Sequence, residues 1–186
     1  HAEPRRNPES ILPWCRSILA VAREVPAGGD GNVARYARGE DYHRVVRREL
    51  HALADELRAE APPGTHFRVC VDTAPLLERE IAVRAGLGSL GKNGLLIVPG
   101  AGSHVVLGEL LTDVDLAPTP SRPHLLANPD VCGTCTRCLD ACPTGALVGP
   151  RVLDATRCIS YLTIEQKGPI PEALAERLDG WVFGCD

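Results

Sequence analysis

At 186 residues and 44% hydrophobic content, the chain can bury one core and carry a small appended module, and no stretch approaches the apolar length that spans a bilayer. The formal net charge of −4 excludes a surface that attracts nucleic acid by bulk charge alone. Arginines are dense up to Arg58, but acidic residues match them almost one for one and describe a solvated, ion-paired surface.

Taken in chain order, the apolar run Ile18-Leu19-Ala20-Val21-Ala22 within Ser10 to Glu24 has the length of a buried strand, and Pro26 to Gly31 is rich in turn formers. From Glu40 to Glu60 the apolar residues Val46, Leu50, Leu53 and Leu57 fall on one helical stripe, which Pro62-Pro63-Gly64 ends. Phe67 to Val71 alternates and reads as a strand running into Asp72-Thr73. Thr73 is placed to cap a helix with Pro75 in its first turn, reaching about Arg84 and stopped by Gly86.

Gly88, Gly91 and Gly94 then break up a loop that leads into Leu95 to Val98. Val105 to Leu111 is expected to pair with that run as a hairpin around Pro99 to Gly102. Alternating helices and strands to this point predict an α/β or α+β layer. Thr112 to Val131 is a linker punctuated by Pro118, Pro120, Pro123 and Pro129. Beyond it, Asp154 should cap a helix that carries Cys158 and runs to about Glu165. Pro171-Glu172 should open another that ends near Asp179-Gly180.

Six of the eight cysteines fall in the last third, and four read Cys132-x2-Cys135-x2-Cys138-x3-Cys142-Pro143. That is the bacterial-ferredoxin run for a cubane iron–sulfur cluster, whose fourth cysteine ligates a second cluster. Four sulfurs in eleven residues are too dense for a common zinc ribbon, and the chain is not the short secreted domain in which a disulfide framework is usual. Cys15 and Cys70 sit in predicted strands among apolar neighbours, where a small buried thiol needs no other role. The account is therefore Cys132, Cys135 and Cys138 for one [4Fe-4S] cluster and Cys142, Cys158 and Cys185 for the other, each one ligand short. The chain has no methionine, begins at His1 and stops at Cys185-Asp186, so a longer protein with the missing ligands further on is the expectation. Oxygen-sensitive clusters and reduced thiols favour the cytoplasm.

Four further segments carry a resemblance. They are Ala34 to His43 (ARYARGEDYH), Val71 to Arg79 (VDTAPLLER), Gly86 to Asn93 (GLGSLGKN) and Arg157 to Glu165 (RCISYLTIE), in that order around the cysteine run. Together they resemble the epoxyqueuosine reductase family, cobalamin-dependent iron–sulfur enzymes of tRNA queuosine synthesis. The likeness covers nearly all of the chain from about Ser10 onward.

The resemblance implies an α+β fold. A nitroreductase/reductive-dehalogenase-like α/β cobalamin-binding layer would occupy residues 1–115, N-terminally truncated. A linker would follow over 116–130, then a bacterial-ferredoxin-like two-cluster module over 131–186, incomplete at its C-terminus. It implies a base-off cobalamin between layer and module, electrons arriving through two [4Fe-4S] clusters from an external low-potential donor, and tRNA carrying epoxyqueuosine as substrate. It further implies no membrane association, and tRNA contacts made partly by regions outside this chain.

Among residues, the resemblance makes Asp72 the proton donor to the departing epoxide oxygen. A carboxyl in an apolar pocket beside a corrin has its neutral form favoured, while an aspartate at this turn can equally serve as a helix cap. Arg35, Tyr36 and His43 would line the cobalamin pocket, His43 being also compatible with a hydrogen-bonded helix start. Lys92 and Asn93 would belong to that pocket or its substrate mouth; no GxxxxGK[ST] phosphate loop is present. Ser160 and Glu165 match the segment between cluster and corrin, and are also compatible with the surface of a helix.

The chain departs from the family pattern at Ser89, where a large aromatic is usual, at Gly94, where a small hydroxyl residue is usual, and over Ser103 to Leu107, which lacks aromatics. Fewer faces therefore remain for stacking an unpaired base. Two rival readings are an electron-carrier module without its own active site and a reductive dehalogenase. About 110 residues of layer ahead of the cluster run weigh against the first. The Arg157 to Glu165 segment, and the poor match of Arg5-Arg6 to a twin-arginine signal, weigh against the second.

Overall fold

The computed structural model describes residues 12–26, 28, 31–119 and 131–186. In chain order these form β1 (Ser17–Glu24), a 3-10 turn (Arg35–Ala37), α1 (Tyr42–Glu60), β2 (Phe67–Cys70), α2 (Glu78–Arg84), β3 (Ser89–Leu90), β4 (Leu96–Ile97) and β5 (Val105–Thr112). The cysteine-rich part follows with α3 (Arg137–Asp140), β6 (Leu147–Gly149), β7 (Val152–Leu153), a second 3-10 turn (Ala155–Arg157), a π-helical turn (Tyr161–Glu165) and α4 (Glu172–Ala175).

β5 is the central strand of a three-stranded antiparallel sheet ordered β1-β5-β2, with Ser17 opposite Thr112, Glu24 opposite Val105, and Phe67 also opposite Thr112. An antiparallel sheet with helices on it is α+β rather than α/β. Strand alternation sends successive β5 residues to opposite faces. Leu110 packs with Val46, Leu50 and Ala54 of α1, while Leu111 packs with Cys70 and Leu76 beside Ile81 of α2. The Glu40 to Glu60 stripe is thus the buried face of α1, and Gly108 lets it approach: a Cβ there would lie 2.7 Å from Val46 Cγ1 and 2.9 Å from Leu50 Cδ1.

Several expected elements differ. Val105 to Leu111 does not pair with Leu95 to Val98; β4 pairs with β3, and Val98 meets only Gly102 in an isolated bridge. The eight residues of β5 find a full-length partner in β1, which a hairpin with two-residue β4 cannot match. The glycine loop therefore holds a strand of its own. Gly88 has no room for a side chain, because a Cβ would run into the Ile97 carbonyl.

The helix expected from Pro75 starts at Glu78 with no side-chain cap, so Thr73 caps nothing: its hydroxyl turns back to the Val71 carbonyl at 3.4 Å. Cys15 lies just before β1 rather than within it, and both Cys15 and Cys70 are buried as expected. Thr112, placed in the linker by its sequence, closes β5 and is fully buried. Pro120, Pro123 and Pro129 of that linker lie outside the described residues.

Asp154 does cap, accepting from Thr156 N at 3.1 Å, but the cap serves a 3-10 turn that ends before Cys158. The expected continuous helix is instead a 3-10 turn followed by a π turn, closed by Gln166 N donating to Tyr161 O at 2.9 Å. The helix expected to reach Asp179 ends at Ala175, and turns lead on to left-handed Asp179 and Gly180. No helix among the described residues is long and apolar enough to cross a membrane.

Candidate functional site

β2 delivers the chain to Asp72, which takes a left-handed backbone (φ +57°) that aspartate tolerates better than most residues. Two bonds fix this turn. Thr73 N donates to Val71 O at 2.6 Å, and Asp72 N donates to Glu78 Oε1 at 2.7 Å from the start of α2. Asp72 therefore does not cap a helix; its own amide is held by a helix-start glutamate. Its carboxylate is 57% exposed and lies, through Oδ2, 3.3 Å from His43 Nε2. The other ring nitrogen, Nδ1, is 2.7 Å from Asp41 Oδ1, and that carboxylate also accepts the His43 amide at 3.0 Å as the N-cap of α1. His43 is thus both a hydrogen-bonded helix-start histidine and the partner of Asp72.

Aromatic rings extend the site. Tyr42 stacks on His43 with ring centroids 4.0 Å apart, and Tyr36 meets Tyr42 edge-on at 5.7 Å. A cavity of about 200 Å³ opens here, lined by Tyr42, Asp72, Glu78, Arg79, Leu95 and Leu107 among others. A second, of about 400 Å³, adjoins it through Tyr42 and Val106 and is lined by Arg35, Tyr36 and Arg38. Burial, then the charges of Asp72 and Glu78, push the Tyr42 phenol well above its usual range. Burial, then the charges of Asp186, Asp72 and Glu165, raise Tyr36, so carboxylates from both parts of the chain act on this phenol. Glu78 is raised by burial against the opposing pull of its bond from the Asp72 amide.

Lys92 joins the glycine loop to the cysteine-rich part. Its backbone N–H points at Cys132 Sγ at 3.3 Å, its ammonium donates to the Gly133 carbonyl at 2.6 Å, and its carbonyl accepts from Arg151 N at 2.7 Å. Lys92 is thus tied to the cysteine loop rather than placed on the Asp72 cavity. Asn93 turns inward on its own loop, its Oδ1 accepting from Leu95 N at 3.1 Å. Arg35 donates its amide to both carboxylate oxygens of Asp186 at 3.2 Å. Ser160 is half-buried just ahead of the π turn, and Glu165 is exposed at its end.

None of the eight cysteines is in a disulfide. Arg137 holds Cys135 below the usual thiol range. Burial opposes ionisation of Cys142, but amides of Leu147, Ala146 and Gly145 and the Thr144 hydroxyl outweigh it, the Ala146 N–H pointing at Sγ at 3.2 Å. Cys185 is pushed up to about 11 by burial, then by the charges of Cys158 and Cys142. The thiolates of Cys158 and Cys142 thus oppose the ionisation of Cys185, an opposition that a bound cation removes, and N–H···S bonds are how proteins tune cluster sulfurs. Among the described residues no three His, Cys, Asp or Glu side chains are placed to hold a single metal ion.

The ends of this part pack back on the layer. Ala34 N donates to Phe183 O at 2.8 Å and Val182 N to Asn32 O at 2.7 Å, beside the Arg35 and Arg38 ion pairs with Asp186. Thr163 of the π turn accepts from Gly184 N at 3.0 Å, anchoring the extended segment that leads to Cys185. Tyr42, Glu78 and Arg79 belong to the site although only their neighbours were singled out by sequence. Their signal was present, since Tyr42 adjoins His43 and Glu78-Arg79 close the VDTAPLLER segment.

Two family models match the chain: "Epoxyqueuosine reductase QueG, DUF1730" over residues 5–73 and "4Fe-4S double cluster binding domain" over residues 131–186. The epoxyqueuosine reductase of Gloeobacter violaceus is 47% identical over all of this chain and 58% of its own length. That of Xanthomonas campestris is 42% identical, again over all of this chain and 54% of the relative. The crystal structure of an epoxyqueuosine reductase with an epoxyqueuosine-modified tRNA-Tyr stem loop superposes with a TM-score of 0.89. It is 37% identical, and the match covers all of this chain and 50% of that one. The chain thus spans little more than half the length of these relatives.

Proposed function

The chain belongs to the epoxyqueuosine reductase family, and on that premise we propose that it forms the catalytic part of an enzyme that reduces epoxyqueuosine to queuosine in tRNA. The reaction takes two electrons and two protons: both C–O bonds of the epoxide break, a C=C bond forms, and the oxygen leaves as water. The observation that carries this reading is spatial. Asp72, which lines one cavity, meets His43 at 3.3 Å, Tyr36 lines the adjoining cavity, and the amide of Lys92 on the glycine loop reaches Cys132.

In this reading the 131–186 module holds two [4Fe-4S] clusters, on Cys132, Cys135 and Cys138 and on Cys142, Cys158 and Cys185, 1–115 forms a cobalamin-binding layer of nitroreductase-like type, and 116–130 links the two. The adjoining cavities combine the rings of Tyr36 and Tyr42 and apolar side chains with charged ones, Arg35, Arg38, Asp72 and Arg79 among them, a mixture suited to a large cofactor with a flat ring and polar substituents. Tyr36, His43, Asp72, Arg35 and Glu165 would hold cobalamin there, with Ser160 toward the clusters and Lys92 and Asn93 at the junction. When bound, cobalamin supplies low-potential two-electron chemistry that no side chain can.

The chain's own residues do the rest. Asp72 donates the proton to the departing oxygen, His43 orients its carboxyl, and the half-buried rings of Tyr36 and Tyr42 limit the access of water. The electrons come from an external low-potential donor, and the site of action is the cytoplasm. The test uses full-length protein purified without air and loaded with iron, sulfide and cobalamin. Given epoxyqueuosine-containing tRNA and a low-potential reductant, it should yield queuosine on nucleoside mass spectrometry. Unchanged tRNA from fully loaded protein would overturn the proposal.

A further inference from the structure

Two enclosed carboxyl groups contrast. Glu109, in the middle of β5, is fully buried, and among the described residues its two oxygens have no hydrogen-bond partner. The Asp186 side chain is 15% exposed and has several partners. Both of its oxygens accept the Arg35 amide at 3.2 Å, and Oδ2 lies 3.6 Å from Arg35 Nε and 3.8 Å from a terminal nitrogen of Arg38. Arg35 opens the 3-10 turn Arg35–Ala37, and the first amides of a helical turn have no partner within it. Ala34, the residue before it, has no side-chain acceptor to offer. A longer side chain there would meet Gly184, because Ala34 is fully buried and a Cβ on Gly184 would lie 2.7 Å from Ala34 Cβ. The acceptor comes instead from 151 residues further along the chain.

We propose that Asp186 is a positioning residue for Arg35: by closing the 3-10 turn it sets the Arg35 guanidinium on the wall of the larger cavity, and it ties ligand binding there to the segment that carries Cys185. Backbone bonds bring the two segments together, Val182 N donating to Asn32 O at 2.7 Å and Ala34 N to Phe183 O at 2.8 Å, with Val33 and Phe183 in a parallel bridge. Arg38 is committed to its own loop, its guanidinium donating to the carbonyls of Val33, Gly31 and Gly28 at 2.6, 3.0 and 3.2 Å. Arg35 instead meets Asp186 through both its amide and its Nε, so one carboxylate restrains its backbone and its side chain together. A guanidinium restrained in this way loses less freedom when a polar group of a ligand meets it. Asp186 adjoins Cys185, which the proposed assignment gives to a cluster, so one short segment serves the cysteine module and the cavity wall alike.

The proposal rests on the reading that this cavity takes cobalamin, so one arm of the test does without it. On full-length, iron-loaded protein, hydrogen exchange resolved to single amides should show the Arg35 amide exchanging about tenfold faster in Asp186→Ala than in wild type. Asp186→Asn keeps one acceptor oxygen and should fall between them, and it carries the test if the alanine variant fails to fold. Affinity for hydroxocobalamin, read from visible absorbance without turnover, should drop about tenfold in Asp186→Ala and in Arg35→Ala. The double variant should bind no worse than Arg35→Ala alone. Wild-type exchange at Arg35 in both Asp186 variants overturns the proposal. So do wild-type affinity in those variants, and losses that add in the double variant, which would make Asp186 act independently of Arg35. Wild type that takes up no hydroxocobalamin sinks instead the cobalamin reading, and the Arg35 exchange rate then decides whether Asp186 closes the turn.

Discussion

Lys92 grips the cysteine loop twice, through its amide to Cys132 Sγ at 3.3 Å and through its ammonium to the Gly133 carbonyl at 2.6 Å. The two bonds have different consequences. The amide acts on the sulfur itself, and the ammonium fixes the backbone that carries it. Lys92→Ala keeps the first and removes the second. Loss of one exposed, charge-assisted bond should cost about 1 kcal/mol. In full-length protein it should speed iron release to a chelator, measured as loss of cluster absorbance; release at the wild-type rate would show that the ammonium contributes nothing.

The proposed assignment divides the six sulfurs into two groups, Cys132, Cys135 and Cys138 against Cys142, Cys158 and Cys185; the charges of Cys158 and Cys142 act on Cys185, and Cys132 Sγ accepts from the Lys92 amide. Cys142→Ser in the full-length protein should therefore lose one cluster's iron and keep the other's. Loss of all iron, with the fold intact by circular dichroism, would mean that the groups are not independent.

Much of this was legible in the chain. Cysteine spacing is a local code, so the ligand run could be read directly, and the α1 stripe followed from a local period. Strand pairing is not local. β5 carries no mark that its partner is β1 rather than the nearby β4, and the glycines at 100 and 102 suggested the hairpin that is absent. The 3-10 and π turns around Cys158 were hidden because Asp154 offers a helix cap and Gly168-Pro169 a stop, so the span between them reads as one helix. Geometry there is set by the Thr163 anchor to Gly184, a contact between distant residues. At the site, His43 and Asp72 were named separately, and their contact needed the fold. Glu109 did leave a trace, as the single charge inside the apolar run from Val105 to Leu111.

The packing of α1 on β5 depends on the missing side chain at Gly108. Gly108→Ala would press a methyl against Val46 and Leu50, and overpacking of this kind costs about 1–3 kcal/mol. Denaturant unfolding should show that loss; stability equal to wild type would mean the helix can withdraw freely.

Glu109 also predicts how stability varies with pH. Burial, then the Glu78 charge, raise its folded-state value to about 8, well above that of an unfolded glutamate. Between the ordinary glutamate range and about 8 the folded protein keeps a proton that the unfolded chain releases, so its stabilising effect is lost as pH rises. The slope is at most about 1.4 kcal/mol per pH unit. Glu109→Gln has no such slope, and its advantage over wild type in urea melts should grow from acid to neutral pH. A gap independent of pH would contradict the assignment.

The most direct measurement concerns Asp72. Asp72→Asn in anaerobically purified full-length protein should keep its iron and its corrinoid. Its rate of queuosine formation on epoxyqueuosine tRNA should fall by about 10²–10⁴-fold, the contribution of a positioned general acid. Turnover within a few-fold of wild type, with both cofactors in place, would remove Asp72 from the chemistry and contradict the account.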